Sequence, residues 1–296
     1  MINTKRTVVP IPPAYDAEEK LELNSTKKYL SFLDDNNIKT IMSTAGTSQF
    51  NFLTEKEIID FNVTMSQNFS GQVLLGVPPL PTSRTKSFVK KVESSLSRDQ
   101  IGSVNFLLLY NDRFYNEECL HRYYQEIRSC SSNPLYIHGN AMRAGTGGMW
   151  DYSSEVINRL HEQGVVLGIK EETSNLNYSY KFIQGLLSGV DVIVAGGSIR
   201  RYEFLKNAGA NAFLSGVGNF YPWVENRYFS RPSTAGTSID IENEIFKVFM
   251  GIGWHPSLRF ALKHLGLTCF YNRGPWPELN KKQKHDIIKV LEKFSD

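Results

Sequence analysis

Three features of the chain could do chemistry. One is a lysine closing an apolar run, Lys170 in VVLGIKEE. The second is a tyrosine inside another run, Tyr136 in PLYIH. The third is a small, hydroxyl-rich turn, Ser43-Thr44-Ala45-Gly46-Thr47-Ser48. A lysine ending a buried strand is withdrawn from water, and burial favours a neutral amine. Only a neutral amine attacks a carbonyl carbon, so this position suits Schiff-base chemistry. An ion pair with Glu171 or Glu172 at the strand exit is the competing reading, and the pattern alone leaves both open. Tyr136 reads equally as a packed residue with its hydroxyl satisfied. The hydroxyl-rich turn can hold a carboxylate or phosphate, or be an ordinary connection. Two further runs end in Gly196-Gly197-Ser198 and Ser215-Gly216-Val217-Gly218-Asn219. Glycines there either admit a ligand to the backbone or make tight turns. If they take phosphate, the rival readings are a phosphosugar enzyme or a non-catalytic binding barrel.

These residues belong to a repeating pattern. Short apolar runs (RTVVPI, KTIMS, QVLLGV, SVNFLLL, PLYIH, VVLGIK, VDVIVAGG, NAFLSG) alternate with stretches such as TEKEIIDFNVTMSQ and SSEVINRLHEQ, which carry apolar residues at helical spacing. Strand–helix alternation implies parallel strands with helical crossovers, and eight such units predict a (β/α)8 TIM barrel. An open doubly wound sheet would place a glycine-rich phosphate turn after the first strand, where this chain has Ile11-Pro12-Pro13. Beyond Phe220 the pattern is helical only. The expected organisation is a barrel over 1–225 and a C-terminal helical segment over 226–296 packed on it. In such a barrel the chemistry sits at the C-terminal ends of the strands.

Composition excludes other classes. The 296 residues carry a net charge of +3, with 41% hydrophobic and 21% charged residues. That is too apolar for a disordered chain, and too evenly charged to single out nucleic acid as a partner. No apolar run is long enough to span a membrane, and MINTKRTVVPIPP lacks the core of a secretory signal. Cys119, Cys130 and Cys269 have no metal-ligand spacing and read as free thiols, so a cytoplasmic protein is expected. The six histidines form no paired metal motif. The lysine-rich KKQKHDIIKVLEKF reads as a solvated helix face.

The segment VVLGIKEETSNL resembles the strand carrying the Schiff-base lysine in the dihydrodipicolinate synthase / N-acetylneuraminate lyase family. AGTSQFNFLTEKE resembles that family's turn after the second strand, NPLYIHGN its tyrosine strand, and AGGSIRRYEFLKNAGANAFLSGVGNFYP its seventh and eighth strands. The resemblance spans essentially the whole chain. It implies an aldolase-type lyase in which Lys170 forms an imine with pyruvate or another 2-oxo acid and Tyr136 shuttles protons. Thr47 and Ser48 would bind the carboxylate, and Gly197 and Leu214 would line the pocket. A hydro-lyase using the same imine is the alternative. The resemblance further implies no cofactor or metal, a small 2-oxo acid and an aldehyde as partners, and a homotetramer or homodimer. The chain also departs from the family. Its turn reads GTSQF, with Gln49 at the position of a family glutamate. Asn111 and Asp112 stand at the family's Tyr-Tyr pair, between Tyr110 and Tyr115. Arg143 is the candidate for the arginine that binds a second carboxylate. His138 and Asn140 are candidates for reading the second substrate.

Overall fold

Each of the eight apolar runs forms a strand, and the strands close on themselves. In the computed structural model, which describes residues 5–43, 46–47, 50–109, 116–139, 153–268, 271–276 and 278–295, the strands are β1 (Arg6–Pro10), β2 (Thr40–Met42), β3 (Gln72–Val77), β4 (Val104–Leu109), β5 (Leu135–Gly139), β6 (Val166–Glu171), β7 (Asp191–Val194) and β8 (Ala212–Leu214). They pair in parallel in sequence order, and β8 returns to β1. The helices are α1 (Leu23–Asp35), α2 (Glu55–Asn68), α3 (Thr82–Glu93), α4 (Arg98–Gly102), α5 (Glu117–Arg128), α6 (Ser154–Glu162), α7 (Leu176–Gln184), α8 (Ser198–Leu205), α9 (Pro222–Ser230), α10 (Ala235–Ile252), α11 (Trp254–His264) and α12 (Lys281–Glu292). Local chemistry marks the helix starts. Thr54 with Glu57 and Asn280 with Gln283 form capping boxes that satisfy the free amides opening α2 and α12.

Strand alternation divides the barrel into two packed regions. Outward residues join the helices in one large core, whereas Val8, Met42, Leu74, Leu107, Tyr136, Ile193 and Ala212 fill the interior. Beneath them, at the N-terminal end, Arg6 donates to Asp191 at 3.0 Å and Gln72 donates to Asn105 at 3.2 Å. The wide Tyr136 ring fits because β6 carries Gly168 beside it. A Cβ there would lie 2.6 Å from the ring and 2.3 Å from the Asp191 carbonyl.

Two buried polar groups anchor the upper end. Glu171, outward on β6, accepts from Arg201 of α8 at 2.7 Å. The same Arg201 nitrogen donates to the Thr173 carbonyl at 2.7 Å and to Ser179 of α7 at 2.9 Å. The second group joins the helical tail to the loops after β7 and β8. Ser215 donates to Glu225 of α9, and Ser198 donates to Glu242 of α10, which also accepts from the Ile199 amide at 3.0 Å. Burial pushes both carboxyls up. The charge of Glu242 adds to the effect on Glu225, which stands well above its ordinary range, and Glu242 rises to about 7. Tail residues also reach the loop after β1 and the start of α2. Arg259 donates to the Pro13 carbonyl at 2.9 Å, Arg273 donates to Glu57 at 2.7 Å, and the two guanidinium groups lie 4.8 and 4.3 Å from the Tyr15 ring centre. Helix α9 runs across the expected boundary at 225.

Arg201→Met removes the guanidinium that faces the buried Glu171 carboxylate and is expected to cost about 3–5 kcal/mol, with most of it recovered in the Glu171→Gln/Arg201→Met double variant. Urea unfolding measures this, and a cost under about 1 kcal/mol for the single change would refute the anchoring role. The raised carboxyl makes a second prediction. Glu242 binds its proton more tightly folded than unfolded, so its contribution is full below pH 4.5 and is lost as pH rises towards 7. Stability should therefore fall across that window by on the order of 2 kcal/mol, and Glu242→Gln should flatten the fall. An unchanged slope in the variant would contradict the assignment.

Candidate active site

Lys170, the fifth residue of β6, points into the barrel near its C-terminal end. Only 1% of its surface is exposed. Its neighbours follow from register. His138 of β5 lies directly opposite, and Glu172 stands two residues on, on the same face of the chain. Three polar atoms meet there. Lys170 Nζ is 2.6 Å from His138 Nε2 and 2.5 Å from Glu172 Oε2, and the His138 and Glu172 atoms are 2.9 Å apart. Of the two sequence candidates for the lysine's partner, Glu172 is the one in contact, while Glu171 turns outward to Arg201.

The electrostatics of the trio are asymmetric. Burial, reinforced by the Lys170 charge, lowers the His138 imidazole to about 4 against the pull of Glu172, so the ring is neutral near pH 7. Burial alone would raise the Glu172 carboxyl. The Lys170 charge leads the opposing effects and holds the group well below the usual carboxylate range. The site therefore contains an amine, a neutral imidazole able to accept a proton, and a carboxylate that stays charged.

Tyr136, which the resemblance implies as the proton shuttle, stands lower in the barrel: its hydroxyl donates to Asp191 at 2.6 Å, in the polar layer that holds Arg6. Tyr136 pairs across from Gly168 and His138 pairs across from Lys170. The tyrosine thus sits one inward layer lower, roughly 7 Å along the strand at about 3.3 Å per residue. Burial and the Asp191 charge push its hydroxyl well above the ordinary range, which suits a hydroxyl that keeps its proton. His138 takes the place beside Lys170. The alternation of LYIHG shows that Tyr136 and His138 share a face, but not which of them meets Lys170.

The remaining candidates divide. Thr47 is half-buried on the loop after β2, where its backbone bonds to the His255 ring of α11. Leu214 ends β8 and packs on the interior cluster. Gly196 adopts φ +79° and lies against Glu172, whose Cγ is 3.8 Å from a Cβ placed there. Gly197 makes room for Arg201, whose Cβ would stand 3.0 Å from an added Cβ, and Trp254 fills the space beside Gly216 at 2.1 Å. These two glycines meet packing demands. Ser48 and Arg143, with Gln49, Tyr110, Asn111, Asp112, Tyr115, Asn140 and Cys269, lie outside the described residues. Among the described residues no three His, Cys, Asp or Glu side chains are grouped as metal ligands, and no helix is long and apolar enough to cross a membrane.

No family model matches the chain. Individual proteins resemble it from end to end. It is 22% identical over 291 residues, covering 96% of this chain and 95% of the relative, to the 2-dehydro-3-deoxy-phosphogluconate/2-dehydro-3-deoxy-6-phosphogalactonate aldolase of Sulfurisphaera tokodaii. It is 21% identical over 282 residues, 93% of this chain and 92% of the relative, to the 4-hydroxy-tetrahydrodipicolinate synthase of Staphylococcus haemolyticus. The fold matches the crystal structure of dihydrodipicolinate synthase from Oceanobacillus iheyensis with a TM-score of 0.80 at 16% identity, covering 99% of this chain and 97% of that one. Over nearly its whole length the chain is thus similar to an aldolase and to dihydrodipicolinate synthases, and it shares their barrel fold.

Proposed function

We propose that the chain is a Schiff-base lyase of the class I aldolase type, acting on pyruvate or another 2-oxo acid with Lys170 as the nucleophile. One observation carries the reading: a lysine with 1% of its surface exposed lies near the end of β6 inside the barrel, its amine held between an imidazole and a carboxylate. The end of a barrel strand is where this fold does chemistry. An amine adds to the keto carbon of a 2-oxo acid and loses water to form a protonated imine. That imine draws electrons from the adjacent C–C bond as it breaks, so the reading invokes no metal or organic cofactor. Aldol cleavage is preferred to dehydration because the aldolase of Sulfurisphaera tokodaii matches over nearly the full length of both chains. Thr47 stands on the loop that would meet the substrate carboxylate.

The competing reading is suggested by the same contact. Lys170 and Glu172 could be a structural ion pair at a strand exit. Pyruvate and borohydride separate the two. The lyase reading expects a stable adduct on Lys170, found by peptide mass spectrometry and missing in Lys170→Ala. No adduct across the neutral pH range would refute it. Lys170→Ala is also expected to abolish turnover while the chain keeps its cooperative unfolding. Pyruvate released from 2-keto-3-deoxy acids marks aldol cleavage, and a product that retains the carbon skeleton marks dehydration.

A further inference from the structure

We propose that His138 is the proton-transfer residue of this site, exchanging protons with Lys170 and with the substrate while Glu172 balances the charge. The proposal rests on the lyase reading and adds the group that moves the protons. Its basis is the triangle of Lys170 Nζ, His138 Nε2 and Glu172 Oε2, with sides of 2.6, 2.5 and 2.9 Å. That triangle accommodates the proton before and after transfer. Before transfer, the ammonium donates to both Nε2 and Oε2. After one proton crosses the 2.6 Å gap, the new Nε2–H faces Oε2 at 2.9 Å, within hydrogen-bond range. The positive charge moves from amine to ring against the same carboxylate, and no buried charge is left unpaired. Tyr136 is committed to Asp191 and does not reach the amine.

The steps balance. Lys170 gives one proton to Nε2, and its lone pair adds to C2 of the 2-oxo acid as the carbonyl π pair moves to oxygen. A proton passes from the new N–H to that oxygen, leaving a neutral carbinolamine. The imidazolium then protonates the C2 hydroxyl, water leaves, and the nitrogen lone pair closes a protonated imine. In cleavage, Nε2 takes the proton of the C4 hydroxyl. The C4–O bond becomes a carbonyl, the C3–C4 pair becomes C2=C3, and the imine π pair settles on nitrogen. The aldehyde leaves, the imidazolium protonates C3, and water hydrolyses the imine. A neutral ring is required at the start of both sequences, and burial beside Lys170 keeps His138 neutral.

Exchange of the pyruvate methyl protons with deuterium oxide, followed by proton NMR, tests the proposal without knowledge of the aldehyde, since it requires C3 deprotonation of the imine. His138→Gln is expected to lower the exchange rate about 10²- to 10⁴-fold. Borohydride trapping at saturating pyruvate should still reach the same end point on Lys170. His138→Gly should regain exchange when imidazole is added, which a purely structural role would not produce. Exchange in His138→Gln within threefold of the unaltered chain would overturn the proposal and leave the lyase reading standing. An unaltered chain that traps no pyruvate would remove both. Nitrogen NMR of the histidine rings reads the unaltered protein directly, independent of how the variants fold. The proposal expects an unprotonated Nε2 on His138 at pH 7, and a doubly protonated ring there would overturn it.

Discussion

A primary amine inside a barrel must be matched by charge and hydrogen bonds, because an unpaired buried charge costs several kcal/mol at least. The geometry around Lys170 meets that demand with one carboxylate and one neutral ring. The ring could not do so if β5 and β6 slid past each other, since its contact depends on His138 standing opposite Lys170. The lower layers secure this register. Gly168 admits the Tyr136 ring, whose hydroxyl bonds to Asp191 on β7, and Asp191 in turn holds Arg6 on β1. Strands on both sides of the lysine are thus tied beneath it, by a network that takes no part in the proposed chemistry.

The exterior of the same strand does complementary work. Because side chains alternate, Lys170 and Glu172 face the interior while Glu171 faces the helices. Glu171 then meets Arg201, which also gathers the Thr173 carbonyl and Ser179. Three consecutive charged residues, Lys-Glu-Glu, are sorted by strand geometry into an inner pair and an outer anchor. The tail extends the anchoring to β7 and β8, through Ser198 and Ser215 on the buried carboxyls of α10 and α9.

The barrel was legible in the chain because eight apolar runs with helical intervals have few other ways to bury themselves. The lysine was legible for a related reason: a charged residue ending such a run is conspicuous. Its partner was not. Tyr136 and His138 differ by two residues, so they share a face and differ only in height. Periodicity carries no information about height, which is set by the pairing of β5 with β6 and by the bulge between Leu135 and Tyr136. Similarity of motifs points to the tyrosine because the related strand carries one, and a motif does not register a shift of one inward layer. The glycines differ. The sequence leaves Gly197 and Gly216 open between ligand approach and tight turns, and Arg201 and Trp254 stand against them. The Trp254 contact comes from a residue distant in sequence and leaves no local trace at Gly216.

The exchange of partner changes what the lysine can do. A tyrosine hydroxyl near its ordinary value of about 10 holds its proton at neutral pH, so it begins as a donor. An imidazole lowered to about 4 begins as an acceptor. Beside an ammonium, an acceptor within 2.6 Å takes the proton that must leave before the nitrogen can attack. The resulting imidazolium would be costly in so buried a place without a counter-charge. Glu172, kept ionised by the same lysine, provides one. The carboxylate that sequence alone suggested as the lysine's inert partner is therefore the group that makes a buried histidine workable as a base. In the proposed chemistry, ion pairing and proton transfer are two states of one triangle, separated by the position of a proton.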